Sequence, residues 1–281
     1  MTYSFVALLC ISSVCLIVGV WPKVASLVLG VSWISVHSIA FSTGKIDHGI
    51  LLQVAPLVLA FSCWGDTFRL RESRHVNRNA DGFPIAIFAF LTAYWMATAG
   101  WQKMMHNWLD PSFSAVYAIV YTNSIVTDRP TLVGQLALQY FPTWAWELND
   151  WVTVVFELSG IFFVWKRKLF RCWIAAACFF HLGIDLFMSI PYAAAPLAYA
   201  AFAPWSRLGL VRWLHSGQSR RRVLLVAILL LALLANAVQL IYSFSLARSI
   251  VWAAPVLGMI FLLSKQPQSA SEHDLERGSA T

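Results

Sequence analysis

Nine long, almost unbroken apolar runs recur along this chain, and they constrain its fold more than any motif does. They cover Ser4 to Val20, Val24 to Phe41, Gly49 to Trp64, Pro84 to Met105, Asn149 to Trp165, Leu169 to Ile190, Pro191 to Trp205, Val223 to Tyr242 and Leu246 to Leu263. A helix crossing hydrocarbon needs about 20 apolar residues, within a range of roughly 17–25. Most of the runs meet that length; Pro191 to Trp205 is the shortest and holds an internal Pro196. A membrane barrel would show short alternating segments instead of continuous apolar runs. The expected fold is all-α: a polytopic bundle of nine transmembrane helices, forming one domain over residues 1–263 with a polar, disordered tail at 264–281.

Composition excludes the alternatives. Of the 281 residues, 59% are hydrophobic and 12% charged, against about 25% charged in ordinary soluble domains. A soluble globule lacks the interior to hide that much apolar side chain, and disorder requires low hydrophobicity. The fourteen tryptophans suit a protein with two membrane–water interfaces. Cys10, Cys15, Cys63, Cys172 and Cys178 all lie in apolar runs without a CxxC pair, so neither a disulfide framework nor a zinc site is expected.

The net charge of +7 reads as topology, not as a nucleic-acid footprint. Cytoplasmic loops attract Lys and Arg. With the N-terminus outside and nine alternating spans, sixteen of the 20 basic residues fall inside and only Lys45, Lys103, Arg129 and Arg248 fall outside. Omitting Pro191 to Trp205 as a crossing would place Arg207, Arg212 and Arg220 to Arg222 outside, so that run is retained as a broken or tilted span. The expected location is a bacterial inner membrane, with the C-terminus cytoplasmic. His106 to Leu148 is then the one long outer segment, and its Ala115 to Val126 portion is apolar enough to lie along the interface or re-enter.

Ionisable residues within spans are costly and therefore functional candidates. Lys45, Asp47 and His48 occupy the outer turn between the second and third runs; Lys103 ends the fourth; Glu157 lies within the fifth; His181 and Asp185 lie in the outer half of the sixth. On this topology all gather toward the outer side. His181 and Asp185 are four residues apart and share a helix face, so the carboxylate can orient the imidazole, or the histidine can be a core residue satisfied by a neighbouring helix. Lys103 lies between Trp101 and Trp108 and can snorkel to the interface. In a low-dielectric pocket, a lysine loses the hydration that favours its charged form and can act as a base when neutral. Asp47 and His48 suit the cap of the third helix; Glu157 can pair with a basic group or bond across helices. Asp47, His48, His181 and Asp185 lack the spacing of a metal motif, so no metal is expected. Gly44-Lys45 lacks the rest of a phosphate-binding loop, and no GxSxG appears.

Four of these pieces resemble one family. Thr43-Gly44-Lys45-Ile46-Asp47-His48-Gly49, followed by an apolar run and Cys63-Trp64-Gly65-Asp66, resembles bacterial HTTM proteins, the transmembrane relatives of vitamin K-dependent gamma-carboxylase. Ala99-Gly100-Trp101-Gln102-Lys103-Met104-Met105 with Trp108-Leu109-Asp110 resembles the glycine–lysine–tryptophan segment of that family. Phe156-Glu157-Leu158, then Phe180-His181 and Pro191, resembles its two following helices. The similarity runs from about Trp21 to Trp205 in matching order. It implies a reduced membrane quinone as ligand, Lys103 as the base that deprotonates it, and His48 and His181 beside it. Asp47 falls where the animal enzyme has an asparagine. The implied chemistry is that of a quinol-dependent oxidoreductase or carboxylase with a site on the outer side.

Two further readings stand beside this one. The chain can be a non-catalytic membrane partner that binds a secreted or membrane protein through His106 to Leu148, or a DoxX-like quinone-linked redox subunit, which needs fewer spans.

Overall fold

The computed structural model describes residues 2–41, 49–62, 82–190, 192–203, 253 and 255–260. Every regular element among them is helical. In chain order these are α1 (Thr2–Val18), α2 (Pro22–Phe41), α3 (Ile50–Leu59), α4 (Gly82–Met105), α5 (Ala115–Tyr121), α6 (Leu132–Tyr140), α7 (Thr143–Phe163), α8 (Arg167–Met188) and α9 (Ala194–Tyr199). A π-turn at Thr122–Val126 extends α5, and a 3-10 turn at Ala200–Phe202 extends α9.

α4 and α8 have the length and apolarity to cross a bilayer. α1, α2 and α4 begin and end within two residues of the apolar runs that predict them. Three elements differ from the sequence reading. Within its described residues the third run yields a ten-residue helix, α3, with an internal Pro56 whose carbonyl accepts a 2.7 Å bond from Ser26 Oγ. The fifth helix starts at Thr143, six residues before the expected Asn149, directly after Pro142. Within the run Pro191 to Trp205, expected as a broken or tilted span, the described residues form a six-residue helix holding Pro196 and a following turn. The eighth run and the tail 264–281 lie outside the described residues, and the ninth is described only at residues 253 and 255–260.

α4 packs most extensively against α7, as α1 does against α2. Gly100 permits the first contact. A Cβ there would stand 3.0 Å from Glu157 Cβ and 3.1 Å from the Leu158 amide nitrogen, so a larger residue would push the two helices slightly apart. Gly160, one turn beyond Glu157, similarly receives the Trp173 ring of α8. The main core gathers Leu51, Phe88, Met96, Trp173, Ile174 and Tyr199 from α3, α4, α8 and α9. A second core of Val116, Val120, Ala137, Trp146 and Met188 lies under α5 and α6.

α7 reverses the pattern of a soluble helix. Its buried face carries Trp146, Asp150, Thr153, Val154, Glu157 and Gly160. Its exposed face carries Trp144, Leu148, Trp151, Val152, Val155 and Phe162. Carboxylates face inward and aromatic and aliphatic groups face outward, an arrangement suited to hydrocarbon surroundings rather than to water.

Candidate functional site

The site is built around the end of α4. Lys103 occupies its last turn, and its Nζ donates a hydrogen bond to Oε1 of Glu157 on α7, forming an ion pair. Glu157 is buried, whereas Lys103 keeps about a quarter of its side chain accessible. Glu157 Oε2 is buried with no hydrogen-bond partner among the described residues. The ammonium also lies 5.1 Å from the centroid of the Trp108 ring, within cation–π range. Lys103 thus pairs with α7 while staying partly accessible beside Trp108.

The chain after α4 sets Trp108 over the lysine. Asn107 takes a left-handed conformation, with φ 62°. Asp110 then closes a turn: its Oδ1 accepts from Ser112 Oγ at 2.6 Å and from Ser112 N at 2.9 Å. These two bonds, the hydroxyl's first, hold the Asp110 carboxyl below the usual carboxylate range.

Beside Lys103 lies a cavity of about 460 Å³. Trp108, Ala118, Ile119, Ile184, Met188 and Ile190 make its apolar walls; Lys103, Thr122, Asn123, Thr153 and Tyr192 supply its polar atoms. The π-turn after α5 brings Thr122 and Asn123 to this wall, and irregular turns of that kind are frequent at functional sites. Asn123 Nδ2 also donates to the Met188 carbonyl at 2.6 Å, one of the carbonyls that the end of α8 leaves without a helical partner.

His181 stands one layer back. It is buried, and its Nε2 shares a 2.9 Å hydrogen bond with the Tyr199 hydroxyl of α9. Its ring also meets Tyr192, with centroids 5.8 Å apart, and Tyr192 lines the cavity. Asp185 is buried one turn along the same face of α8. Lys103 thus lines the cavity, whereas His181 is not among the lining residues and contacts Tyr192 from behind that wall. Lys45, Asp47 and His48 lie outside the described residues. Among the described residues, no three His, Cys, Asp or Glu side chains gather as a metal would require.

Sequence reasoning missed Asp150, Asn123, Tyr192 and Tyr199. Asp150 is buried, and its Oδ1 accepts from the Val116 backbone at 2.9 Å, tying the start of α5 to α7. A charge close to the predicted start of a span was the available signal for Asp150. Nothing in the local sequence marks the other three.

No family model, no curated protein and no solved structure matches this chain.

Proposed function

We propose that this chain is an integral membrane protein of nine helices, N-terminus outside, that binds a reduced quinone in an outer-leaflet cavity and removes a proton from it at Lys103. The observation that carries this reading is the placement of Lys103 on the cavity wall with buried Glu157 behind it. The resemblance to HTTM proteins and the inward-facing carboxylates of α7 support the same reading. The apolar faces of α7 and the span-length α4 and α8 support the membrane setting, and the basic asymmetry of the sequence supports the orientation and an inner-membrane location.

The residues fit such a ligand. A volume of about 460 Å³ falls within the roughly 300–1,000 Å³ of small-molecule pockets. The lining is mainly apolar, with a few polar groups, which suits an aromatic ring bearing polar substituents. The ion pair makes the cavity wall neutral overall, which favours an uncharged ligand over an acidic one. When bound, a reduced quinone supplies two weakly acidic hydroxyls and two electrons.

The remaining work falls to the protein. Glu157 is the hydrogen-bonded acceptor that can take the ammonium proton of Lys103. When the proton shifts from Lys103 Nζ to Glu157, the amine becomes a base without any change in net charge. Neutral Lys103 then accepts the proton from the bound hydroxyl: the O–H bond breaks and an N–H bond forms. Thr122 and Asn123 on the lining offer further hydrogen bonds, and Tyr192, backed by His181, adds a third polar group.

Purification in mild detergent followed by organic extraction tests this. A quinone should co-purify with the native chain, and a Lys103→Glu variant, which sets two carboxylates face to face, should lose it. A native preparation that carries no quinone and does not take up an added reduced naphthoquinone overturns the reading.

A further inference from the structure

α6 divides its surface into three sectors. Gly134 and Ala137 are buried, with Val133 and Leu138 half-buried beside them. Leu132, Leu136 and Tyr140, at successive steps of four, are exposed and apolar; Leu132 is 74% and Tyr140 69% accessible. Gln135 and Gln139, again four apart, are exposed and polar. At about 100° per residue, the protein-facing sector, the apolar exposed sector and the polar exposed sector each form one contiguous strip. A helix surrounded by water has no use for the second strip, and a helix surrounded by hydrocarbon has no use for the third.

The apolar strip continues beyond α6. Phe141 and Pro142 join α6 to α7 directly, and Tyr140 and Trp144 stand exposed on either side of that joint. From Trp144 the exposed apolar face of α7 runs on through Leu148, Trp151 and Val155. In the other direction, α5 and its π-turn expose Tyr117, Tyr121 and Ile125, with the two tyrosine rings stacked at 6.0 Å. The turn between them, Thr127 to Pro130, is polar and exposed. Aromatic groups at the junction of a span with a surface helix mark the headgroup level. An apolar strip beside a polar strip is the pattern of a helix lying in the plane of that level.

We infer that α6 lies on the outer leaflet, with Leu132, Leu136 and Tyr140 dipped into the hydrocarbon edge and Gln135 and Gln139 in the aqueous phase. The segment from 106 to 148 is then a lipid-seated cap over the cavity and not an aqueous loop. The anchoring agrees: Asp150 ties the start of α5, and Asn123 and Thr131 bond to the Met188 and Phe187 carbonyls at the end of α8. This inference rests on the membrane setting proposed above, but not on quinone binding.

Carbene footprinting of the native chain in phospholipid vesicles tests it, with one diazirine dissolved in the bilayer and one dissolved in water. The bilayer reagent should label Leu132, Leu136 and Tyr140 several-fold more than it labels Gln135 and Gln139, and the water reagent should give the reverse. Val155 and Phe162, in the middle and inner part of α7, report the membrane setting separately. If those two take the bilayer label while Leu132, Leu136 and Tyr140 take the aqueous one, α6 stands in water and the inference is overturned alone. If the α6 residues escape both reagents, another protein covers the face and the inference is also overturned. If Val155 and Phe162 take the aqueous label, the membrane setting itself falls and the inference with it.

Discussion

Lys103 of α4 and Glu157 of α7 form an ion pair three residues past the point where Gly100 lets the two helices touch. The glycine sets the distance, and the distance lets a lysine side chain turn inward. The pair therefore depends on backbone approach as much as on charge, and the two contributions separate experimentally.

Glu157→Gln should lower the unfolding midpoint in detergent, because it leaves the Lys103 ammonium without its counter-charge. Losing one partner of a fully buried pair costs about 3–5 kcal/mol; the partial exposure of Lys103 reduces this to roughly 2–3 kcal/mol. The double variant Lys103→Met/Glu157→Leu should recover most of that loss, since packed apolar groups replace a buried pair at little net cost. A double variant no more stable than Glu157→Gln would show that the charges are held by other groups.

Gly100→Ala should cost about 1–3 kcal/mol, since the added methyl meets backbone as well as side chain. Gly183→Ala on α8 is the control: nothing lies within 4 Å of its new methyl, and alanine gains up to about 1 kcal/mol in helix propensity. Thermal unfolding of the two variants side by side decides the point. Equal behaviour would mean that α4 and α7 do not meet as closely as the backbone indicates.

The helical class and the extents of α1, α2, α4 and α8 can be read from hydropathy, but little of the site can. The charges within spans single out Lys103, Glu157, His181 and Asp185, because a charge in an apolar run is conspicuous. Their pairing is invisible at a separation of 54 residues. Glu147, Asn149 and Asp150 dilute the hydropathy of the first turns of α7 and conceal its true start at Thr143. Asp150 nevertheless faces inward and is bonded there. In residues 106–148 the apolar stretch Ala115 to Val126 stands out and forms α5 with its π-turn, whereas α6 is too short to register as periodicity. Their caps were legible: Ser114 accepts from Tyr117 N and Thr131 from Gly134 N, each ahead of an apolar stretch. Tyr192 and Tyr199 follow Pro191 in the run read as a broken or tilted span, and only their contacts with His181 reveal their place.

Asp150→Ala should loosen α5 without unfolding the bundle. It removes the acceptor of the Val116 amide; losing a helix cap costs about 0.5–2 kcal/mol. Hydrogen exchange should quicken over residues 115–126 and stay unchanged in α4 and α8. Uniform quickening across the chain would show that Asp150 supports the whole fold instead.

Tyr199→Phe should leave the fold intact and deprive His181 of its hydroxyl partner. The loss of a buried hydrogen bond costs about 1–3 kcal/mol when one group is left unsatisfied. If His181 acts on the ligand through Tyr192, the pH dependence of quinol turnover should shift in Tyr199→Phe while ligand binding is retained. A lowered unfolding midpoint with an unchanged pH profile would assign Tyr199 and His181 to packing alone.

The sharpest test concerns Lys103 itself. Arginine in its place keeps the positive charge, reaches Glu157 and forms a carboxylate pair at least as well as lysine. Lys103→Arg should therefore unfold within about 1 kcal/mol of the native chain and still retain a bound quinone. It cannot become a neutral base, because a guanidinium stays protonated, so the proton shift to Glu157 that frees the lysine amine has no counterpart. General base catalysis contributes about 10²–10⁴-fold, and oxidation of an added reduced naphthoquinone by dissolved dioxygen, the electron acceptor in the assay, should fall by that order. Lys103→Ala removes the amine but leaves Glu157 and an enlarged cavity, so small primary amines added to the assay should restore part of the rate. Turnover in Lys103→Arg equal to that of the native chain would remove the lysine from the chemistry and leave it the structural partner of Glu157.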